Sequence, residues 1–137
     1  MSFNQVIEKY REVSFSERDK GDRFERLMQA YLQTDPTYSN QFSYVWLWNE
    51  FPSKMDFGGK DVGIDIVAQT YDGDYWAIQC KCFEEDATID KGSVDSFLAT
   101  SSREFTDDNM QTVRFAHRLW ISTTNKWSSK YGKNYRY

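Results

Sequence analysis

Two runs rich in apolar residues, 64–70 and 75–82, stand on either side of Asp72-Gly73, and this pattern predicts a β-hairpin. A two-residue turn would mix apolar and polar side chains on each face, which is disfavoured where one face is buried. A three-residue loop at 71–73, with Gly73 in the left-handed conformation, separates the two kinds of side chain. The hydrophobic pattern therefore favours the longer loop.

The longer loop gives the predicted hairpin one apolar face and one polar face. On the polar face, Asp65 lies directly opposite Gln79, and Lys81 is diagonal to Asp65. This face is either a chemical site or the solvated side of an amphipathic hairpin. The apolar face comprises Ile64, Ile66, Ala68, Trp76, Ile78 and Cys80.

The periodicity of the remaining sequence predicts the elements around the hairpin. Asp35-Pro36 ends the second of two N-terminal helices. The order strand, helix, strand after the hairpin predicts a parallel pair joined by a right-handed crossover, and hence an α/β fold with a mixed sheet flanked by helices. The predicted elements are helices at 3–13 and 16–33, a strand buried on both sides at 43–51, a loop at 52–63, a helix from Ile89 or Asp90 to Thr100, and a strand at 113–122.

Composition limits the class of protein. The 137 residues suffice for one hydrophobic core, and the 18% aromatic content is typical of an ordered domain. No apolar run approaches the length of a membrane span, and the N-terminus lacks the regions of a secretory signal, so we expect a cytoplasmic location and no membrane partner. We expect a single domain over 1–137, with a leading helix at 1–15, a core at about 16–128 and a basic tail at 126–137, as part of a larger protein.

The net charge of −4 is unfavourable for a domain that binds DNA by itself, because nonspecific DNA binding depends on basic residues that neutralise phosphates. The charge is uneven, because residues 126–137 contain four basic and no acidic residues, which leaves 13 basic against 21 acidic residues, or −8, over 1–125. The tail is either a DNA contact or a solvated end. Linkage to other domains would compensate for weak affinity by raising the effective concentration of DNA.

The two cysteines, Cys80 and Cys82, alternate on one predicted strand, where their side chains lie too far apart for an unstrained disulfide. We interpret them as buried or half-buried thiols. A structural zinc site needs four ligands, and His117 is the single histidine, so we expect no zinc site. By the same reasoning we expect His117 to be a strand residue and not a catalytic base.

The polar residues of the hairpin resemble a known family. Gly63-Ile64-Asp65 and Gln79-Cys80-Lys81 are similar to the GID and QxK motifs of the Mrr-like branch of the PD-(D/E)XK nucleases. Segments 21–25, 44–48, 90–97 and 121–127 resemble the N-terminal nuclease domain of large restriction-helicase proteins, including the type ISP restriction enzymes. The resemblance covers roughly residues 20–128 and implies a restriction-endonuclease-like three-layer sandwich with a central mixed sheet.

Phosphodiester hydrolysis needs a divalent cation and a positive group near the attacking water or the developing charge. Asp65 is the best candidate ligand for Mg²⁺, with Mn²⁺ as a substitute, and Gln79 offers a side-chain carbonyl oxygen. Lys81 would orient the water or stabilise the phosphate. The resemblance also implies the backbone carbonyl of Cys80 as a ligand and Glu25 as a helix carboxylate that meets the metal through water. The spacing alone is equally consistent with Glu25 being a carboxylate at the border of the helix's apolar face, with no role in the site.

Further residues are candidates for supporting roles. Gln79 is neutral where many members of the resembled family carry Glu, so we expect weaker metal binding. Asp61 is a supporting acid, a partner for Lys81 or a turn residue, and Gly63 is expected to permit a close approach or an unusual dihedral. The candidate DNA contacts, each of which is alternatively structural, are Ser93, Ser96, Thr123, Thr124, Lys126 and Lys130.

The sequence therefore predicts a Mg²⁺-dependent DNA endonuclease domain with little sequence specificity of its own. The resemblance implies that helicase, methyltransferase or target-recognition domains of the same polypeptide are its partners, and a double-strand cut would need a dimer. Two alternatives stay open: a Holliday-junction-resolvase-like nuclease, and a catalytically inert DNA-binding or assembly domain of the same fold.

Overall fold

A β-hairpin lies at the centre of a five-stranded sheet in the computed structural model of the chain, which describes residues 2–12, 17–57, 63–81 and 88–122. Two short 3-10 turns, Trp48–Glu50 and Lys54–Phe57, follow the first strand. The helices are α1 (Phe3–Glu12), α2 (Glu17–Thr34), α3 (Pro36–Ser39) and α4 (Lys91–Ser101), and the strands are β1 (Phe42–Leu47), β2 (Ile66–Thr70), β3 (Tyr75–Lys81), β4 (Glu104–Thr106) and β5 (Thr112–Ser122).

The strands are arranged in the order β1-β2-β3-β5-β4. Neighbouring strands are antiparallel except β3 and β5, which run parallel and are connected through α4. The predicted parallel pair is therefore confirmed, and so is the mixed α/β sheet. None of the helices in the described ranges is long and apolar enough to cross a membrane.

Each face of the sheet carries its own hydrophobic core, so helices cover both faces and the architecture has three layers. On one face, α1 and α2 cover the even-numbered residues of the hairpin; this core contains Ile7, Phe24, Met28, Leu32, Phe42, Val45, Ile66, Ala68, Ile78, Cys80 and Ile121. On the other face, α4 covers the odd-numbered residues; this core contains Phe51, Phe57, Ile64, Val67, Tyr75, Ala77, Ile89, Val94, Phe97, Phe105, Phe115 and Trp120. This arrangement agrees with the predicted restriction-endonuclease-like sandwich.

The structure differs from the sequence-based predictions in three places: β1, β4 and Ile64. The strand expected at 43–51 ends at Leu47, because the Glu50 carboxylate accepts a hydrogen bond from the Leu47 N–H and holds the chain in a 3-10 turn. It is also not buried on both sides, since β1 is an edge strand and Tyr44 is 57% exposed. The short strand β4 was not predicted, because three residues are too few to show a periodicity.

The third difference is Ile64, which packs with Val67 and Ala77 and not with the predicted apolar face. Gly63 has a φ of +77°, and β2 begins only at Ile66, so the chain turns before the regular alternation of the strand starts. The apolar face is therefore as predicted from Ile66 onwards but not at Ile64, and the face predicted to be polar is also a core face, because it contributes Val67, Tyr75 and Ala77 to the core under α4.

Candidate active site

The hairpin adopts the register that the hydrophobic pattern predicts. Ile66 pairs with Ile78, and Ala68 pairs with Trp76. The Thr70 N–H donates to the Asp74 carbonyl at 2.8 Å, so the pairing extends one residue before β3 and leaves a three-residue loop, 71–73, in which Gly73 has a φ of +94°. The Thr70 carbonyl accepts from the Gly73 N–H at 3.0 Å, which closes the loop. This register brings the start of β2 next to the end of β3, where the polar residues lie.

Asp65 immediately precedes β2 and is held by its backbone on both sides. Its N–H donates to the Ile78 carbonyl at 3.0 Å, and its carbonyl accepts from the Trp48 N–H at 2.8 Å. The Asp65 carboxylate accepts from the Cys80 N–H at 2.8 Å, so it reaches the peptide group that joins Cys80 to Gln79. The structure therefore places the aspartate against the strand segment that contains Gln79 and Lys81.

Gln79 has an unusual environment for an amide. The residue is only 4% exposed, and its Oε1 atom has no hydrogen-bond partner among the described residues. A buried polar atom without a partner costs about 1–3 kcal/mol, so such atoms are rare unless a ligand or a functional role accounts for them. A carbonyl oxygen is also a ligand type that Mg²⁺ and Mn²⁺ prefer. The Gln79 oxygen therefore has the chemistry of a cation ligand, on the strand whose Cys80 N–H binds the Asp65 carboxylate.

Lys81 ends β3 and is half-buried. It lies within electrostatic range of Asp90, the residue that caps the N-terminus of α4. The pKa of Asp90 is lowered mainly by the Ser93 N–H and hydroxyl hydrogen bonds, with smaller contributions from the Gly92 N–H and the Lys81 charge, against a small opposing effect of burial. The lysine ammonium is therefore close enough to the start of α4 for its charge to act on Asp90.

Glu25, on α2, shares a neighbourhood with Asp65 through Cys80. The Cys80 thiol is buried and free. Burial raises its pKa well above the usual value, and the negative charges of Asp65 and Glu25 raise it further. Both carboxylates are therefore near one sulfur atom, and the thiol is neutral at pH 7. This confirms the prediction of a buried thiol for Cys80, whereas Cys82 lies outside the described residues.

A cation bound at this position would need oxygen ligands of several kinds. Within the described parts of the chain, no three His, Cys, Asp or Glu residues are arranged so that they hold a metal ion by themselves. A cation at Asp65 would therefore need the Gln79 oxygen, backbone carbonyls, water or a substrate phosphate to complete its shell, which matches the preference of Mg²⁺ for mixed oxygen ligands that include water.

The other candidate residues have varied positions. Gly63 has the unusual dihedral that was expected of it, with a φ of +77°. Ser93 donates from its N–H and its hydroxyl to the Asp90 carboxylate, so it serves the cap of α4, while Ser96 is exposed on the same helix. His117 lies in β5 as expected, and its ring contacts the Trp76 ring, with 4.8 Å between the ring centroids. Five candidates lie outside the described residues: Asp61, Thr123, Thr124, Lys126 and Lys130.

Sequence reasoning overlooked three residues near this site. Asp90 was named only as a possible helix start and as part of a resembling segment, although an Asp at the start of a predicted helix is a recognisable N-cap. Gln29 and Glu50 form hydrogen bonds at the edge of β1, and their roles depend on tertiary contacts between distant segments. No local signal in the sequence marks that pair.

Comparison with known proteins agrees with this fold. Residues 33–136 match a restriction endonuclease family, Mrr_cat_2. Among solved structures, the chain is similar to an ATP-dependent type ISP restriction-modification enzyme, LlaBIII, bound to DNA, with a TM-score of 0.63 and 28% sequence identity. The match covers 95% of this chain and 7% of the chain of that enzyme. None of the curated proteins compared with the chain matches it significantly. Because the family match spans most of its length, the chain belongs to the Mrr_cat_2 family of restriction endonucleases.

Proposed function

We propose that this domain hydrolyses DNA phosphodiester bonds with the help of Mg²⁺ or Mn²⁺, at a site formed by Asp65, Gln79, Lys81 and Glu25. The observation that carries the proposal is the buried Gln79 oxygen, which has no hydrogen-bond partner in the described part of the chain and lies on the strand whose backbone binds the Asp65 carboxylate. When bound, the cation would polarise the phosphate and lower the pKa of the attacking water.

Each residue has a distinct task in this proposal. Asp65 and Gln79 would hold the cation through their side-chain oxygens, together with the backbone carbonyl of Cys80. Glu25 would contact it through water. Lys81 would hold the attacking water in line with the phosphorus or stabilise the negative charge that develops on the phosphate oxygens. The Asp65 carboxylate is already oriented by the Cys80 N–H, so little ordering remains when the cation binds.

We further propose that the domain works as one part of a larger DNA-processing protein. The matched region is a small fraction of the LlaBIII chain, and that enzyme was solved with DNA bound. The net charge of −4 gives this chain little affinity for phosphates, so other domains would bring the DNA to the site. Sequence specificity would come from those domains, and a double-strand cut would need two copies of the site.

A plasmid-nicking assay tests the proposal. The proteins are the wild type, Asp65→Ala and Lys81→Ala, each assayed with Mg²⁺, Mn²⁺ and EDTA. Matched controls are Asp72→Ala, which removes an exposed carboxylate at the far end of the same hairpin, and Lys9→Ala, which removes an exposed lysine from α1. We expect nicking by the wild type and both controls, its loss in EDTA, and a reduction of 100-fold or more, on the order of a missing general catalytic group, in the two site variants.

One observation favours a second function, a catalytically inert DNA-binding or assembly domain. Among the described residues, no three His, Cys, Asp or Glu side chains are placed so that they could hold a metal ion, and Gln79 is neutral. An inert domain would bind DNA equally well with and without Asp65 and would not nick it under any metal condition. Equal nicking by the wild type and both site variants would refute the assigned residues instead.

A further inference from the structure

Side chains on α2 form a line that leads away from the proposed site. Glu25, Gln29 and Gln33 are spaced four residues apart and therefore lie on one side of the helix. Gln29 is half-buried, and its Nε2 donates to the Val45 carbonyl and to Glu50 Oε1, both at 3.0 Å. These two bonds attach the helix, one turn beyond Glu25, to the outer edge of β1.

Glu50 completes the attachment from the other side. The same Oε1 atom accepts from the Leu47 N–H at 2.9 Å, so one carboxylate oxygen joins the helix amide to the last residue of β1. The next residue, Trp48, donates its N–H to the Asp65 carbonyl at 2.8 Å. An unbroken chain of hydrogen bonds and adjacent residues thus runs from the helix turn after Glu25 to the backbone of Asp65.

We infer that Gln29 and Glu50 are positioning residues that fix Glu25 of α2 relative to Asp65. The inference rests on the proposed function, because it concerns the two carboxylates assigned to the cation. A water-mediated contact from Glu25 requires the distance of α2 from Asp65 to be set accurately. The Gln29–Glu50 pair sets this distance by holding α2 against the C-terminal end of β1, and Trp48, the next residue, is hydrogen-bonded to Asp65.

A simpler role for the same bonds is protection of an edge strand. β1 is an edge strand of the sheet, and side chains that occupy its outward backbone groups discourage pairing with other chains. In that role, Gln29 would affect stability or solubility, but its effect on cation binding would not depend on Glu25. A double-mutant cycle separates the two roles.

The cycle uses the wild type, Gln29→Ala, Glu25→Gln and the double variant, with Mn²⁺ affinity measured by calorimetry and nicking rates measured in parallel. Gln33→Ala is the matched control, because Gln33 lies one turn further along α2 and takes no part in these three hydrogen bonds. Both glutamines line a cavity of about 450 Å³ whose wall also contains exposed side chains, so truncation at either position does not open a void in the core.

We expect Gln29→Ala to weaken Mn²⁺ binding by about tenfold, as for other residues that orient metal ligands, and Gln33→Ala to leave it unchanged. In the Glu25→Gln background, Gln29→Ala should have no further effect. Additive losses, or equal losses from Gln29→Ala and Gln33→Ala, would overturn the inference. If the wild type is active and Gln29→Ala binds Mn²⁺ as tightly as the wild type does, this inference is wrong but the proposed function stands. If the wild type neither binds Mn²⁺ nor nicks DNA, the proposed function is wrong as well.

Variants of Glu50 provide an independent arm. Glu50→Gln keeps a carbonyl oxygen that can accept from both the Gln29 amide and the Leu47 N–H, while Glu50→Ala removes it. We expect near-wild-type Mn²⁺ affinity for Glu50→Gln and a loss similar to that of Gln29→Ala for Glu50→Ala. Equal losses in both would mean that the negative charge of Glu50 matters and not its hydrogen bonds, and would contradict the inference.

Discussion

The buried amide of Gln79 carries a cost in stability, which we attribute to its proposed role as a cation ligand. Its Oε1 atom is buried without a hydrogen-bond partner among the residues that the structure describes, and such an atom lowers the stability of a folded domain. Replacing Gln79 with Met keeps the length of the side chain and removes the unsatisfied oxygen. We expect this variant to be more stable than the wild type by about 1–3 kcal/mol in EDTA, as measured by urea unfolding.

The gain in stability should come with a loss of cation response. If the proposed site is correct, Mn²⁺ should raise the unfolding temperature of the wild type, because ligands that bind only the folded state stabilise it. Gln79→Met should not show this rise. A variant that is less stable than the wild type in EDTA, or that responds to Mn²⁺ as the wild type does, would contradict the assigned role of Gln79.

A change of charge at the same position gives a second expectation. Gln79→Glu adds a second carboxylate beside Asp65, and hard cations bind more tightly as the number of charged ligands rises. We expect Mn²⁺ affinity without DNA to increase by about tenfold, on the order of one additional favourable charge interaction. Gln69→Glu is a suitable control, because Gln69 lies near the opposite end of the same hairpin. Equal affinities of the two variants would count against the site.

At the scale of elements, two glycines with similar backbone conformations bracket the hairpin strand β2. Gly63 has a φ of +77° and Gly73 a φ of +94°, and a side chain in the left-handed region costs about 1–2 kcal/mol. We expect Gly63→Ala and Gly73→Ala to lose comparable stability in thermal unfolding. Only Gly63→Ala should also weaken Mn²⁺ binding, because it stands two residues before Asp65. Similar metal affinities in both variants would show that the turn at Gly63 does not position Asp65.

The N-terminus of α4 gives an expectation about pH. The hydrogen bonds from Ser93 lower the pKa of Asp90 in the folded state below its usual value of 3.8. A depressed carboxyl pKa adds stability above the unfolded pKa, and this stability is lost as the pH falls through the folded pKa. Asp90→Asn retains a capping side chain without the charge. Its deficit in stability should therefore be present at pH 6 and shrink below about pH 3.8, as measured by urea unfolding across that range. A deficit that is constant with pH would contradict the role of the charge.

At the scale of the whole molecule, the excess of acidic residues has a consequence for DNA binding. With a net charge of −4, few phosphates can be neutralised by this chain alone. We expect isolated protein to bind duplex DNA no more tightly than roughly 10⁻⁴ to 10⁻⁶ M in fluorescence anisotropy, and nicking to slow as salt is added. Tight binding that is insensitive to salt would show that the domain carries its own DNA-recognition surface.

The sequence was most informative where local rules decide the structure. Turn chemistry and alternation predicted the loop at 71–73 and the pairing of β2 with β3, because both depend on residues close together in the chain. Tertiary contacts decided the rest. Ile64 packs on the face opposite to the predicted one, because Gly63 turns the chain before β2 begins. β1 ends at Leu47 because the Leu47 N–H donates to the Glu50 carboxylate, a hydrogen bond that no periodicity reveals. The proximity of Glu25 to Cys80 likewise depends on how α2 packs on the sheet.

The most direct test of the site is a crystal structure of the domain with Mn²⁺, in which anomalous scattering locates the ion. We expect one ion that is bound by the Asp65 carboxylate and by Gln79 Oε1, each at about 2.1 Å, as for a small hard cation in an oxygen shell. An ion bound elsewhere, or a Gln79 oxygen that bonds only to protein while the ion sits on Asp65, would contradict the account.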